Sequence, residues 1–305
     1  MNEKQLTAAA DSANRISAIV AMVAVMLIFG FTFIAIKVAL REIRPFTLAL
    51  LRFCIASAIL LSLLGFARRA IELRKGLPWG RLGLMGLIGV TVFFPLQNLG
   101  LVYTSASEAS LILGSIPILT AGLSALFLKE RLTLSRAIGV LVSGAGVALV
   151  VLESGGGAGR GSLLGNFLIL AAALAWSLYT IIGRGVSQQM PHIVVSAFST
   201  LAGTVALVPF AAYECWRYGF GPISSQTWLA VLFLGIVASA STFFLYNYAL
   251  TRLEAGEAGV YVNLAPIVTV VGGALFLGES LSVCQLLGGA FVLAGVYLAG
   301  RRGLS

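Results

Sequence analysis

Side chains able to do chemistry are few in this chain, and the most ordered of them are four glutamates in two pairs. Glu108 and Glu257 stand 149 residues apart, and so do Glu130 and Glu279. A carboxylate beside an apolar run can carry a proton, or it can accept the free backbone N–H groups that open a helix. Ser105-Ala106-Ser107-Glu108 has the spacing of a capping box, in which serine and glutamate satisfy first-turn amides reciprocally. Glu257 follows Glu254 at the same spacing. For Glu108 and Glu257 the pattern favours capping, with proton coupling as the alternative. Glu130 and Glu279 fall in short connections before apolar segments, where a carboxylate suits the positive end of a helix and can bond loop amides.

Catalytic constellations are missing. His192 is the single histidine and Asp11 the single aspartate. Without HExxH, a Cys/His cluster, paired aspartates or Gly-x-Ser-x-Gly, hydrolysis has neither nucleophile nor metal. No Gly-x4-Gly-Lys-Ser/Thr loop is present to hold ATP. Cys54, Cys215 and Cys284 are scattered without metal-like spacing and read as packing residues. No cofactor, metal or nucleic-acid partner is expected. An intramembrane enzyme or a membrane scaffold is the rival class, and a scaffold leaves the repeat described next unexplained.

The glutamate spacing belongs to a longer repeat. Pro117 recurs as Pro266, Ala125-Leu126-Phe127-Leu128 as Ala274-Leu275-Phe276-Leu277, Gly139 as Gly288 and Gly146 as Gly295. The same register pairs Asn98 with Asn247, and Phe29 to Lys37 echoes Trp176 to Arg184. Self-similarity at a fixed offset marks a duplicated unit.

Hydrophobic residues make up 59% of the chain and charged residues 10%, with a mean hydropathy of +1.01. Soluble domains carry about 25% charged residues, so this is a membrane composition. Ten continuous apolar segments lie near 16–36, 46–66, 81–101, 107–127, 133–152, 163–183, 193–213, 227–249, 257–277 and 281–299. They are long enough to span a hydrocarbon core about 30 Å thick and lack the alternation of barrel strands. The fold class is therefore an all-α membrane protein of ten transmembrane helices, as two five-helix repeats. The divisions are a tail at 1–15, a first repeat at 16–152, a glycine-rich linker at 153–162, a second repeat at 163–299 and a tail at 300–305.

Five helices per repeat force the second repeat to enter from the opposite side, so the two are inverted. With both termini cytoplasmic, fourteen lysines and arginines fall on the inner side. Five fall outside: Lys37, Arg41, Arg44, Arg160 and Arg217. That is a positive-inside bias, and it accounts for the net charge of +9. Arg52 lies within the second helix, where it must face protein or water, or snorkel to the interface.

Certain stretches carry a resemblance. Tyr103-Thr104-Ser105-Ala106-Ser107-Glu108-Ala109-Ser110, Ile116-Pro117, Leu128-Lys129-Glu130-Arg131-Leu132 and the glycines Gly139, Gly144 and Gly146 recur in outline from Ala255 to Gly295. Phe29-Gly30 and Trp176-Ser177 form an aromatic-small pair in the first and sixth helices. Over residues 16 to 299 the chain resembles the EamA-type members of the drug/metabolite transporter superfamily. The resemblance implies a ten-helix basket of two inverted five-helix repeats around a central cavity in the inner (plasma) membrane, the cavity lined by helices one, three, four, six, eight and nine. It also implies secondary transport of small metabolites by alternating access, with export of amino acids or small amphiphilic compounds as the leading expectation.

Polar and aromatic residues inside those helices are then the candidates for the lining: Phe29, Thr32 and Phe33; Phe94, Gln97 and Asn98; Trp176, Tyr179 and Thr180; Tyr246 and Asn247; Tyr261 and Asn263. The alternative for each is a helix–helix hydrogen bond. Pro117 and Pro266 fall mid-segment, where each removes a backbone bond and kinks the helix, as a fixed bend or as a gating hinge.

Overall fold

Inside a bilayer the backbone has no water to bond, so each spanning segment must satisfy its own N–H and C=O groups. The computed structural model describes residues 3–67, 77–128, 134–152, 162–187, 190–242 and 264–300, with Leu245, Ala249 and Tyr261. Every long element among them is helical. In chain order they are α1 (Glu3–Ala39), α2 (Pro45–Ala67), α3 (Trp79–Tyr103), α4 (Ala106–Leu113 and Ile116–Leu128) and α5 (Leu134–Leu152). There follow α6 (Leu163–Ser187), α7 (His192–Tyr218), α8 (Ser225–Leu232 continuing through Phe233–Ser241), α9 (Leu264–Gly272 and Gly273–Leu277) and α10 (Val283–Gly300). Six of these, α1 to α4 with α6 and α7, are long and apolar enough to cross a membrane. Within the described residues the apolar parts of α5, α8, α9 and α10 are shorter. Helix α1 starts at Glu3, well before its apolar stretch.

Several helices depart from regular winding, which composition does not reveal. Leu87–Val92 in α3 is a π-helical turn. Pro95 follows it and has no N–H for the carbonyl of Thr91, so the local ladder must shift. A second π-helical stretch occupies Phe233–Ser241 in α8, where the Ser239 and Ser241 hydroxyls donate to the carbonyls five residues back. Shifted by 149 residues, the first turn falls inside the second. A third closes α9 at Gly273–Leu277. Helix α4 is interrupted at Gly114–Ser115, and Pro117 stands in the first turn of its second part. The expected mid-helix kink is thus a break, and a proline in a first turn forfeits no helical bond.

Glycine contacts set the distances between helices. A Cβ on Gly295 would lie 2.6 Å from the Gly139 carbonyl, and one on Gly146 would lie 2.5 Å from that of Gly288. The Ser135 hydroxyl donates to the Leu298 carbonyl. Position rises along α5 as it falls along α10, so the two helices run antiparallel. Gly86 meets the Ser199 carbonyl of α7 in the same way, and Gly235 seats α8 on Ile55 of α2.

One end of the bundle carries a layer of caps. The Glu214 carboxylate of α7 accepts the Thr47 N–H at 2.8 Å and its hydroxyl at 3.0 Å, closing the start of α2. Glu42 accepts the Ser224 N–H at 2.7 Å ahead of α8, and the Ser224 hydroxyl accepts from Thr227 N. Ser282 and Gln285 exchange bonds across the first turn of α10.

Two measurements check this packing. Gly295→Leu should lower stability by about 1–3 kcal/mol through overpacking, read as the unfolding midpoint in detergent against Gly144→Leu as the control, since nothing lies within 4 Å of a Cβ added at Gly144. The Ser224 hydrogen bonds hold the Glu42 carboxyl below its ordinary value of 4.5. Its contribution is therefore complete above that value and lost as pH falls through the lower folded value. Glu42→Gln should accordingly be less thermostable than wild type at neutral pH, with the gap closing only in acid.

Candidate functional site

Aromatic rings from three helices meet inside the bundle. Phe53 of α2 packs edge-on against Phe94 of α3, with centroids 4.4 Å apart. Phe93 lies 4.6 Å from Phe94 and 4.7 Å from Trp176 of α6, and Trp176 lies 5.0 Å from Tyr179. Phe94, Trp176 and Tyr179 are only half-buried although they sit mid-helix. The π turn aims this group: Phe93 and Phe94 follow it directly, and a Cβ on Gly89 within it would lie 2.4 Å from the Tyr179 ring.

Against these rings lies Arg52. Its guanidinium carbon is 4.6 Å from the Phe94 centroid and 5.3 Å from that of Phe53, and its Nε donates to the Ser239 hydroxyl at 3.0 Å. Arg52 is 6% exposed and no carboxylate pairs with it among the described residues. It was legible as the lone cation of an apolar helix, but nothing in the sequence pointed it at Phe94. Phe53, Phe93 and Ser239 carried no sequence signal at all.

The aromatic-small pairs behave alike. Gly30 lets α1 approach α9 so closely that an added Cβ would meet Val268 at 2.5 Å, and Thr269 donates to the Gly30 carbonyl at 3.1 Å. Ser177 in α6 reaches the Ile116 carbonyl beside the break in α4 at 3.4 Å. Gly114 in that break lies beside Pro266, an added Cβ standing 3.5 Å from its ring.

Other candidates scatter. Asn98 is buried and donates to the Pro45 carbonyl at 2.9 Å. Gln97 is buried, and its Oε1 has no hydrogen-bond partner among the described residues. Thr32 and Thr180 donate to the carbonyls one turn back, Ile28 and Trp176. Phe33 packs on the main core, Tyr261 packs beside Met22 and Met26, and Phe29 is 36% exposed. Tyr246, Asn247, Asn263, Glu257 and Glu130 lie outside the described residues, as do 153–161 of the linker.

The glutamates divide the capping work differently from the expectation. Ser105 does accept the Glu108 N–H, at 3.0 Å. The Glu108 carboxylate, 1% exposed, instead receives Thr104 at 2.6 Å, Gln285 at 2.5 Å and Asn166 at 3.3 Å. The N–H groups of Ala106 and Ser107 go to Glu279, at 2.7 and 3.0 Å, with the Ser107 hydroxyl at 2.7 Å. Glu279 therefore caps α4 and not the helix that follows it. Gly278, at φ +67, turns the chain toward this contact, and Gly273 leaves the space: a Cβ there would lie 2.7 Å from the Glu279 carboxylate. Lys37, Arg41, Tyr103, Thr104, Ser105 and Glu279 line a cleft of about 420 Å³ above it.

Glu279→Ala should cost about 2 kcal/mol by stranding two amides, and Glu279→Gln less, as measured by denaturation in detergent. Equal stability of all three proteins would remove the cap from the account.

Comparison with known proteins agrees with this architecture. The EamA-like transporter family matches residues 16–152 and again 163–301. An uncharacterized transporter of Archaeoglobus fulgidus is 32% identical over 286 residues, covering 90% of this chain and 93% of its own. The transporter YcxC of Bacillus subtilis is 31% identical, covering 92% and 91%. A protein of Streptantibioticus cattleyicolor described as a probable terminal-alkyne amino-acid exporter is 29% identical and covers 94% of each chain. A crystal structure superposes with a TM-score of 0.62 at 25% identity, over 93% of this chain and 96% of its own. With both matched stretches together spanning nearly the whole chain, this protein belongs to the EamA-like transporter family, multi-pass helical proteins that move small molecules across a membrane.

Proposed function

We infer that the chain works by alternating access as two inverted halves, 16–152 and 163–299, joined by a linker at 153–162. Its site lies between them, and it exports amino acids or small amphiphilic compounds from the cytoplasm. The observation that carries the reading is the ring cluster, to which the first half contributes Phe53, Phe93 and Phe94 and the second Trp176 and Tyr179. Half-buried rings at mid-depth suit an apolar or aromatic side chain. The antiparallel run of α5 and α10, built on glycines at matching repeat positions, supports inversion. Inverted repeats are a usual route to alternating access, because one half's inward shape is the other's outward shape. The basic residues gathered on one side support an inner-membrane orientation with both termini inside. The name of the Streptantibioticus relative supports amino-acid export.

The test is uptake into proteoliposomes of a labelled panel of amino acids, nucleosides and cationic drugs, with and without a proton gradient. Saturable uptake of apolar or aromatic amino acids is expected, and Trp176→Ala should lower it about tenfold while the protein stays monodisperse. Dependence on the gradient would give Glu108 the coupling role. Folded wild-type protein that moves nothing in the panel overturns the reading.

A further inference from the structure

Arg52 has no counterpart in the second half. Pro45 and Pro191 open matching helices, which sets Arg52 against Phe198, an apolar position. The contact it makes is equally one-sided, since Ser239 lies 149 residues beyond Val90. A fold that repeats its glycines, its π turns and its prolines has thus placed one cation on one side only. It lies seven residues into α2, about 10 Å down the helix. A guanidinium at that depth is costly unless paired, and it marks a functional position by default. Among the described residues no acid pairs with it. Its only hydrogen bond there uses Nε, while Phe53 and Phe94 stack against its carbon. The end-on pair of Nη groups, the fork that fits a carboxylate in two parallel bonds, takes no acceptor among the described residues.

We propose that Arg52 binds the carboxylate of the transported molecule, with Ser239 fixing the guanidinium and the rings of Phe94, Phe93 and Trp176 receiving the apolar remainder. A single guanidinium matches a single carboxylate, because a second carboxylate would be left unpaired in a low-dielectric site. The substrate class is then an amino acid or a related monocarboxylate with an apolar or aromatic body. Ser239 sits in the π stretch of α8, so the cation joins α2 to the least regular part of that helix. Substrate that takes over the guanidinium bears directly on the packing of those two helices. The proposal rests on the transport reading above.

The experiment compares phenylalanine and leucine with phenylalaninamide and leucinamide, by uptake into proteoliposomes and by ligand-induced thermal stabilisation of the purified full chain. Wild type should favour each free carboxylate over its amide. Arg52→Gln should weaken carboxylate binding at least about 30-fold and leave amide binding within a factor of about three. Arg52→Lys should fall between, since it keeps the charge and loses the fork. If Arg52→Gln does not fold, the wild-type preference still decides. Equal handling of acid and amide by wild type overturns the proposal and leaves transport standing, as does wild-type uptake confined to cationic drugs. Equal loss of acid and amide in a folded Arg52→Gln makes the residue a packing element and also overturns it. No uptake or stabilisation by any compound removes this proposal together with the transport reading.

Discussion

A helix that begins inside a membrane protein leaves four N–H groups without intrahelical partners, and here five helices begin at the same end. Each start is closed by a side chain that reaches it: Glu214 for α2, Glu279 with Ser105 for α4, Ser162 for α6, Glu42 with Ser224 for α8, and the Ser282–Gln285 pair for α10. Three of these caps are carboxylates brought from another part of the chain, across 167, 173 and 182 residues. Glu214 and Glu279 come from the second half to helices of the first, and Glu42 makes the reverse connection. The bonds that satisfy the helix ends are therefore the same bonds that hold the two halves together at this end. Opening the end means exchanging charge-assisted caps for water, and buried ones are worth about 1.5–3 kcal/mol each. Closure here is consequently a property of the backbone's own bonding needs.

Glycine contacts act on the remainder of the interface. Where an added Cβ would meet backbone at 2.2 to 2.8 Å, as at Gly86, Gly146 and Gly288, only glycine allows the approach. Helices held this closely turn one smooth face to another, with few interlocking side chains to resist sliding. The irregular turns sit beside these contacts, Gly86 just before one in α3 and Gly235 inside the one in α8. Smooth faces and unevenly wound helices coincide, and the aromatic cluster hangs from one such turn.

Much of this was legible in sequence because it is local or repeated. Apolar runs located the helices, the glycine pairs announced close approach, and the mid-helix aromatics singled out Phe94, Trp176 and Tyr179, which do meet. Misreadings arose where a partner is distant. Ser105 and Glu108 have capping-box spacing, and Ser105 does accept the Glu108 N–H, yet the Ala106 and Ser107 amides go to Glu279, and no spacing rule reaches that far. Asn98 was as polar and as central as Trp176, but its amide is taken by the Pro45 carbonyl. The π turns depend on which carbonyl each donor selects, and Pro95 was their one local sign. Pro117 was visible, whereas the break two residues before it required knowing that Ser177 and Pro266 pack there.

Symmetry separates frame from chemistry. Features present in both halves, such as the Gly30 and Ser177 seats against α9 and α4, serve an architecture that needs the same contact twice. Features present once cannot be required by that architecture. Arg52, its Ser239 partner, Phe53 and Phe93 belong to this second kind, and they adjoin Phe94, Trp176 and Tyr179. Under the proposed exchange of roles between its halves, a duplicated frame changes shape but cannot by that means distinguish one cargo from another. Under the same proposal selection falls to what duplication did not copy, and the uncopied cation within the described apolar helices is Arg52.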